Sequence, residues 1–235
     1  ALFYGYEFLL QVSPGVMTYD LMAAFDIHAE ALGNLTAFYF YAYASMQIPA
    51  GVFLDYLGAK RLLTISCSVC ALGALIFGSS QALYQAEIGR LLIGLGSAFA
   101  VLGTFKLAAN WFPVQRFALV TGITVMLGML GAVSAGSPLA YWISLTDWRT
   151  VMHMLAFAGF VIAILIYINV KDKPNQSSQA AVEHMAEQAG LLSGLLHTLR
   201  KSQNWLTALY GGLMFAPTSA FAALWGVPFL VAKYS

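Results

Sequence analysis

The chain has 235 residues, 60% hydrophobic and 9% charged, where a water-soluble domain carries about a quarter charged residues, so this inventory cannot cover a water-exposed surface. Eleven Lys and Arg stand against ten Asp and Glu, a net charge of +1 with no basic face, which excludes a nucleic-acid partner. What remains is an all-α polytopic membrane protein, in which apolar spans of about 20 residues alternate with short polar turns.

The first span covers residues 1 to about 22 and is interrupted by Glu7, Gln11 and Pro14. The segment from Met22 to Gly33 carries Asp26, His28 and Glu30 without Lys or Arg, which marks it as an external loop. A second span runs from about 34 to 54 and a third from 62 to 80, with an external turn at 79–85. The fourth, about 86–107, holds Arg90 toward its outer end and Lys106 toward its inner end. Asn110 to Arg116 reads as an inner turn with an interfacial tryptophan and a helix-bounding proline. The fifth span falls within 117–146 and ends near Pro138, and the sixth opens at Asp147, Trp148 and Arg149 and runs to about 170. Residues 171–203 are polar and turn-rich, with a candidate amphipathic surface helix that turns Leu192, Leu195, Leu196 and Leu199 to the membrane. A seventh span follows from Trp205 to about Leu230, containing Pro217 and Pro228, which membrane helices tolerate. The expected organisation is thus a bundle at 1–170, a cytoplasmic loop at 171–203 and a further membrane helix at 204–235.

The distribution of basic residues orients these spans. Lys60, Arg61, Lys106, Arg116, Lys171, Lys173, Arg200 and Lys201 fall on one side, against Arg90, Arg149 and Lys233 on the other; the first side is predicted to be cytoplasmic.

Between the uncharged runs 31–54 and 62–86 lies GVFLDYLGAKR, in which Gly51, Asp55, Gly58, Lys60 and Arg61 have the spacing Gly-x3-Asp-x2-Gly-x-Lys-Arg. Gly51 permits close helix approach, Gly58 a turn that a side chain would resist, and Asp55 can accept from the free N–H groups of the next helix. This stretch resembles the loop 2-3 signature of the major facilitator superfamily (MFS) of secondary transporters. Arg90, Gly94 and Gly96 resemble its fourth-helix Arg-x3-Gly-x-Gly pattern. Gly122, Gly128, Gly131, Gly136 and Pro138 look like a diverged form of its glycine-rich fifth-helix motif, with Ser137 splitting the usual Gly-Pro pair. The resemblance implies a six-helix MFS-type bundle plus a seventh helix, the first part of an expected twelve-helix transporter whose remaining helices belong to the same chain. The start in apolar sequence without Met fits that expectation.

Intramembrane polar residues need a reason, because they are costly in lipid. Glu7 leads, with Tyr4 and Gln11 on the same stripe. Burial disfavours a charged carboxylate, so Glu7 is expected either to exchange protons or to make a packing hydrogen bond. Thr36, Tyr39, Tyr43 and Gln47 share a face of the second span, Tyr39 reading as an aromatic-belt residue and Tyr43 and Gln47 as candidate solute contacts. Arg90 can attract an organic anion or be neutralised by Glu87 three residues away. Lys106, about 24 Å farther along, is an inner-side anchor or exit-side contact; His153 reads as structural, with proton sensing as the alternative; and Trp148, like Trp225, is either an interface anchor or, by the resemblance, a feature shared with family members that carry small organic solutes. By the resemblance, helices one and seven border the cavity, which would place Tyr210 near Glu7 and Gln11. Thr124, Gly128, Gly131 and Ala135 form a narrow packing face. Cys67 and Cys70 sit in apolar sequence without a polar cradle, which gives no metal or redox site. HExxH and GxSxG are absent, so neither an enzyme nor a cofactor is expected. The leading function is secondary active transport of a small hydrophilic solute, with organic anions in range, coupled to protons and embedded in lipid at the cytoplasmic (inner) membrane. A facilitator or antiporter of the same fold, or a non-transporting solute sensor, are the alternatives.

Overall fold

A computed structural model describes residues 1–171, 200–217, 221, 224–226, 229–230 and 233, except for the side chains of Ile48 and Asp55. Among these residues every regular element is helical: α1 Leu2–Val12, a 3-10 turn Ser13–Val16, α2 Thr18–Phe25, α3 Ala29–Leu57, α4 Ala59–Ser79, α5 Leu83–Ser97, α6 Ala100–Trp111, α7 Val114–Ser134, α8 Ser137–Leu145, α9 Trp148–Asn169 and α10 Ser202–Pro217. Four segments, Ala59–Ser79, Leu83–Trp111, Val114–Ser134 and Trp148–Asn169, are long and apolar enough to cross a membrane.

Several boundaries differ from the sequence reading. The external loop expected over Met22 to Gly33 is helical on both sides and shrinks to Asp26, Ile27 and His28. Asp26 closes α2 in the left-handed region at φ 51°, which a short polar side chain tolerates better than most. The first span breaks at Pro14, whose missing N–H cannot bond the Leu10 carbonyl, and the chain tightens into the 3-10 turn. The fourth span breaks at Ala98–Phe99 into α5 and α6, and the fifth begins at Val114 and breaks before Pro138 into α7 and α8. Gly58 takes φ 75° between α3 and α4, so those two helices meet with no loop between them. The amphipathic helix expected before Arg200 and the proline at Pro228 lie outside the described residues.

Ala1–Asp172 forms one compact unit and Lys173–Ser235 another. In the first, α4 packs along α9 and α5, α5 along α3, and α1 along α7. Leu10, Leu35, Tyr39, Phe77, Ile93, Trp148 and Met152 share its main core. Trp148 is therefore no interface anchor: it is buried with its ring edge-on to Phe25 and Phe77. At the same end, Arg149 donates to the Ser80 carbonyl at 3.1 Å, His153 bonds Ser79 at 2.9 Å, and Asp147 caps α9 through the Thr150 N–H and hydroxyl at 2.7 and 2.9 Å. Those two bonds hold the Asp147 carboxyl below the usual carboxylate range. In the second unit, α10 buries none of its residues, and Tyr210 is exposed on it.

Candidate functional site: a carboxyl, a phenol and a guanidinium

The Pro14 break leaves the Leu10 carbonyl without its helical donor. Two groups take its place: the Ser13 hydroxyl at 3.0 Å and an Nη of Arg90, from α5, at 2.9 Å. The other Nη of Arg90 reaches the Gln11 carbonyl at 3.4 Å. Arg90 therefore spends its fork on the broken helix and not on Glu87, which corrects the self-neutralising pair considered from spacing. It is 2% exposed, and its Nε has no partner among the described residues.

The guanidinium lies over the ring of Tyr39, 5.1 Å from its centroid, within range of a cation–π attraction. The Tyr39 hydroxyl in turn donates to Oε1 of Glu7 on α1. Tyr39 is 1% and Glu7 3% exposed, so carboxyl, phenol and guanidinium form a chain away from water across α1, α3 and α5. Tyr39 is accordingly not an aromatic-belt residue. Tyr43, one turn on, stacks on it with centroids 5.8 Å apart. Gln11, Tyr43 and Gln47 are each partly exposed. Thr36 spends its hydroxyl on the Gly33 carbonyl of its own helix at 2.8 Å.

Small residues set these distances. A Cβ on Gly94 would collide with the Tyr39 carbonyl, so this glycine, one turn from Arg90, lets α5 lie against α3 where the guanidinium meets the ring. Gly96 does the same toward Ser66 and Cys70 on α4. On α7, a Cβ at Gly128 would fall 2.6 Å from the Tyr4 ring, and one at Gly131 would strike the Gly5 carbonyl. Gly51, by contrast, meets nothing within 4 Å among the described residues.

At the end of the unit where α3 meets α4, Lys106 donates to the Leu54 carbonyl at 3.1 Å, and Lys60 lies over the Tyr167 ring at 4.7 Å. Arg61 is exposed. The Asp55 side chain lies outside what the structure describes. Among the described residues no three His, Cys, Asp or Glu are grouped to hold a metal ion. Cys67 and Cys70 are buried and unpaired by disulfide, with their thiols against the carbonyls of Gly159 and Ile93.

Of the residues singled out in the sequence, Glu7, Tyr43 and Arg90 each contact Tyr39, which the sequence reading leaned toward the aromatic belt, and Gln11 is reached only through its carbonyl by Arg90. An acid on one span facing a phenol on the next was the available signal. Spacing alone does not say which helices meet.

A family model described as Major Facilitator Superfamily matches residues 5–234. The hexuronate transporter of Bacillus subtilis (strain 168) is 29% identical over 166 residues, which cover 68% of this chain and 38% of that protein. The D-galactonate transporter of Escherichia coli O6:H1 is 24% identical over 204 residues, covering 85% and 47%. The crystal structure of a bacterial homologue of the human lysosomal transporter Spinster, inward-facing and unoccupied, superposes with a TM-score of 0.66 at 17% identity over 74% of this chain and 42% of that one; at that identity the likeness concerns the fold. The chain spans less than half the length of each of these relatives.

Proposed function

The chain belongs to the major facilitator superfamily and is an integral membrane protein, and from that premise we propose that the protein it forms part of is a proton-coupled secondary transporter of a small organic acid. The observation that carries the reading is Glu7, a carboxyl buried in the interior of a membrane bundle and bonded to Tyr39. An ionised carboxylate in such a place costs several kcal/mol unless compensated, so it is suited to being protonated in one part of a cycle and ionised in another. The organic-acid class is supported by the names of the hexuronate and D-galactonate transporters and by the cationic Arg90 at the same site.

In this reading, Gln11, Tyr43 and Gln47 orient the solute's hydroxyls, and Arg90 contributes positive potential. Two helical bundles rock about the central site, giving alternating access. The Gly51–Arg61 stretch faces the cytoplasm and acts in switching, with Asp55 as its charged member. Symport is preferred over antiport or facilitated diffusion because Glu7, the one buried carboxyl among the described residues, offers a titrating group beside the proposed solute contacts. No enzymatic step is required.

The test uses the full-length protein in sealed liposomes with labelled D-galactonate and D-glucuronate. An inward proton gradient should drive accumulation of one of them several-fold above equilibrium, and a protonophore should abolish it. Binding without any gradient-dependent accumulation would replace the transporter with a solute sensor.

A further inference from the structure

The first unit is held together unevenly. Gly128 and Gly131 seat α7 tightly on α1, while α9, α4, α5 and α3 pack side by side as a continuous layer. Backbone contact between α1 and that layer is sparse; Phe3, Tyr6 and Leu10 join the shared apolar core, and three sets of polar side-chain bonds cross as well. The Tyr6 hydroxyl donates to the Leu155 carbonyl on α9 at 3.0 Å, Arg90 donates to the Leu10 and Gln11 carbonyls, and Tyr39 donates to Glu7. Only the last of these has an acceptor that can change charge.

We propose that Tyr39 is the positioning residue for Glu7, and that their hydrogen bond is a charge-dependent tie between the α1–α7 pair and the α3–α5 layer. The inference rests on the reading of Glu7 as the coupling carboxyl. While Glu7 is ionised, the bond is charge-assisted and about twice as strong as a neutral one. The Arg90 cation on the ring face draws electron density from the phenol, which makes its O–H a better donor, and supplies the counter-charge. When a proton reaches the Glu7 carboxylate, the pair becomes two neutral groups and the tie weakens.

The geometry decides which partner moves. Tyr39 is pinned at its backbone by Gly94 and at its ring by Tyr43 and Arg90. Glu7 sits on a short helix that ends in the Pro14 break. Release therefore loosens α1, with α7 seated on it, against the Tyr6 and Arg90 bonds that remain, and leaves α3 in place.

The titratable groups facing Glu7 are few. Tyr4 lies on its own helix, Tyr39 and Tyr43 on α3, Cys70 on α4, and Arg90 on α5 beyond the Tyr39 ring. The charged residues of α6, α7 and α9, which are Lys106, Arg116, Arg149 and His153, lie toward the ends of the spans. A single midpoint between pH values that protonate and ionise Glu7 is expected.

Two readouts on the full-length protein in liposomes test the tie. The first is the rate at which dicyclohexylcarbodiimide, a lipid-soluble reagent for protonated carboxyls, labels Glu7 across a pH series, read by peptide mass. Tyr39→Phe keeps the ring over Arg90 and deletes the hydroxyl. Losing a hydrogen bond to a charged group should move the labelling midpoint up by about one to two pH units. Replacing Tyr39 by 3-fluorotyrosine, a stronger donor of nearly the same shape, should move it down, and this variant decides the matter if the Phe variant does not fold. The second readout is the distance distribution between spin labels on exposed Tyr41 of α3 and exposed Val133 of α7, which should broaden below the midpoint in the parent protein and lose that pH dependence in Tyr39→Phe. Coincident labelling midpoints in the parent and the variants, or a distribution that ignores pH in the parent, overturn the tie. Normal gradient-driven accumulation by Glu7→Gln instead removes the coupling reading of Glu7, whatever the labelling shows.

Discussion

Glu7 and Arg90 are both almost fully buried, yet they do not form an ion pair; the Tyr39 ring stands between their roles, presenting its hydroxyl to one and its face to the other. A direct pair in this setting would hold each charge in one state, because breaking it leaves an uncompensated buried charge at a cost of about 3–5 kcal/mol. Spacing the charges with a neutral phenol leaves the carboxyl free to titrate. The expected consequence is that Glu7→Gln, which keeps size and hydrogen bonding, abolishes proton-driven accumulation at least tenfold while sparing exchange of labelled solute across the bilayer. Accumulation and counterflow at matched protein content over a pH series check this, and near-normal values for both would reduce Glu7 to a packing residue. Glu7 was legible in the sequence because an acid in an apolar run demands a reason. Tyr39 was not, because a tyrosine near a span's outer half has a ready explanation in the interface, and only the crossing of α1 and α3 gives it a partner. Arg90 stood out in the sequence as a candidate, but its contacts did not: Glu87 lies at the right spacing for a pair, whereas the carbonyl freed by Pro14 is 80 residues away.

At the scale of the helices, prolines and small residues decide the geometry. Pro14 divides the first span and the Ala98–Phe99 break the fourth, and the first of these creates the acceptor that Arg90 fills. Breaks at prolines were anticipated at Pro14, Pro113 and Pro138; the Ala98–Phe99 break has no proline or paired glycine to announce it. The α1–α7 seam was legible as the small-residue face Thr124, Gly128, Gly131 and Ala135, though its partner helix was not. Two glycines on α7 give a matched comparison. Gly131→Ala drives a methyl into the Gly5 carbonyl and should destabilise the protein by about 1–3 kcal/mol, as overpacking does. Gly122→Ala meets nothing within 4 Å in this chain and should fall within about 0.5 kcal/mol of the parent. Thermal unfolding of the two detergent-solubilised variants measures the difference. Equal stability would show that the seam relaxes freely and that Gly131 sets no distance there.

For the whole molecule, the two membrane faces follow from charge placement along the chain, and the fold gathers each set of ends together. Lys60 at the start of α4 meets Tyr167 near the end of α9, Lys106 near the end of α6 meets the end of α3, and the Trp111 indole donates to the Lys171 carbonyl at 3.0 Å. At the opposite end, Arg149 and His153 of α9 reach Ser80 and Ser79 after α4. The basic excess on the first end is the ground on which it is proposed to face the cytoplasm. His28 and Val114 are both exposed, the first between α2 and α3 and the second at the start of α7, and the two cysteines of this chain are buried, so labelling of single introduced thiols is read against the parent protein as background. A cysteine replacing His28 should label with a membrane-impermeant maleimide on intact cells, and one replacing Val114 only after the membrane is opened. The contrast should be at least tenfold for each, because an intact bilayer excludes a charged reagent from the far side. Reversal of the pattern would invert the orientation and place the Gly51–Arg61 stretch outside, where it could not serve as the cytoplasmic switch proposed for it. Equal labelling of both positions on intact cells would mean that the chain inserts in two orientations, and the basic excess at its inner ends would then be too small to set its topology.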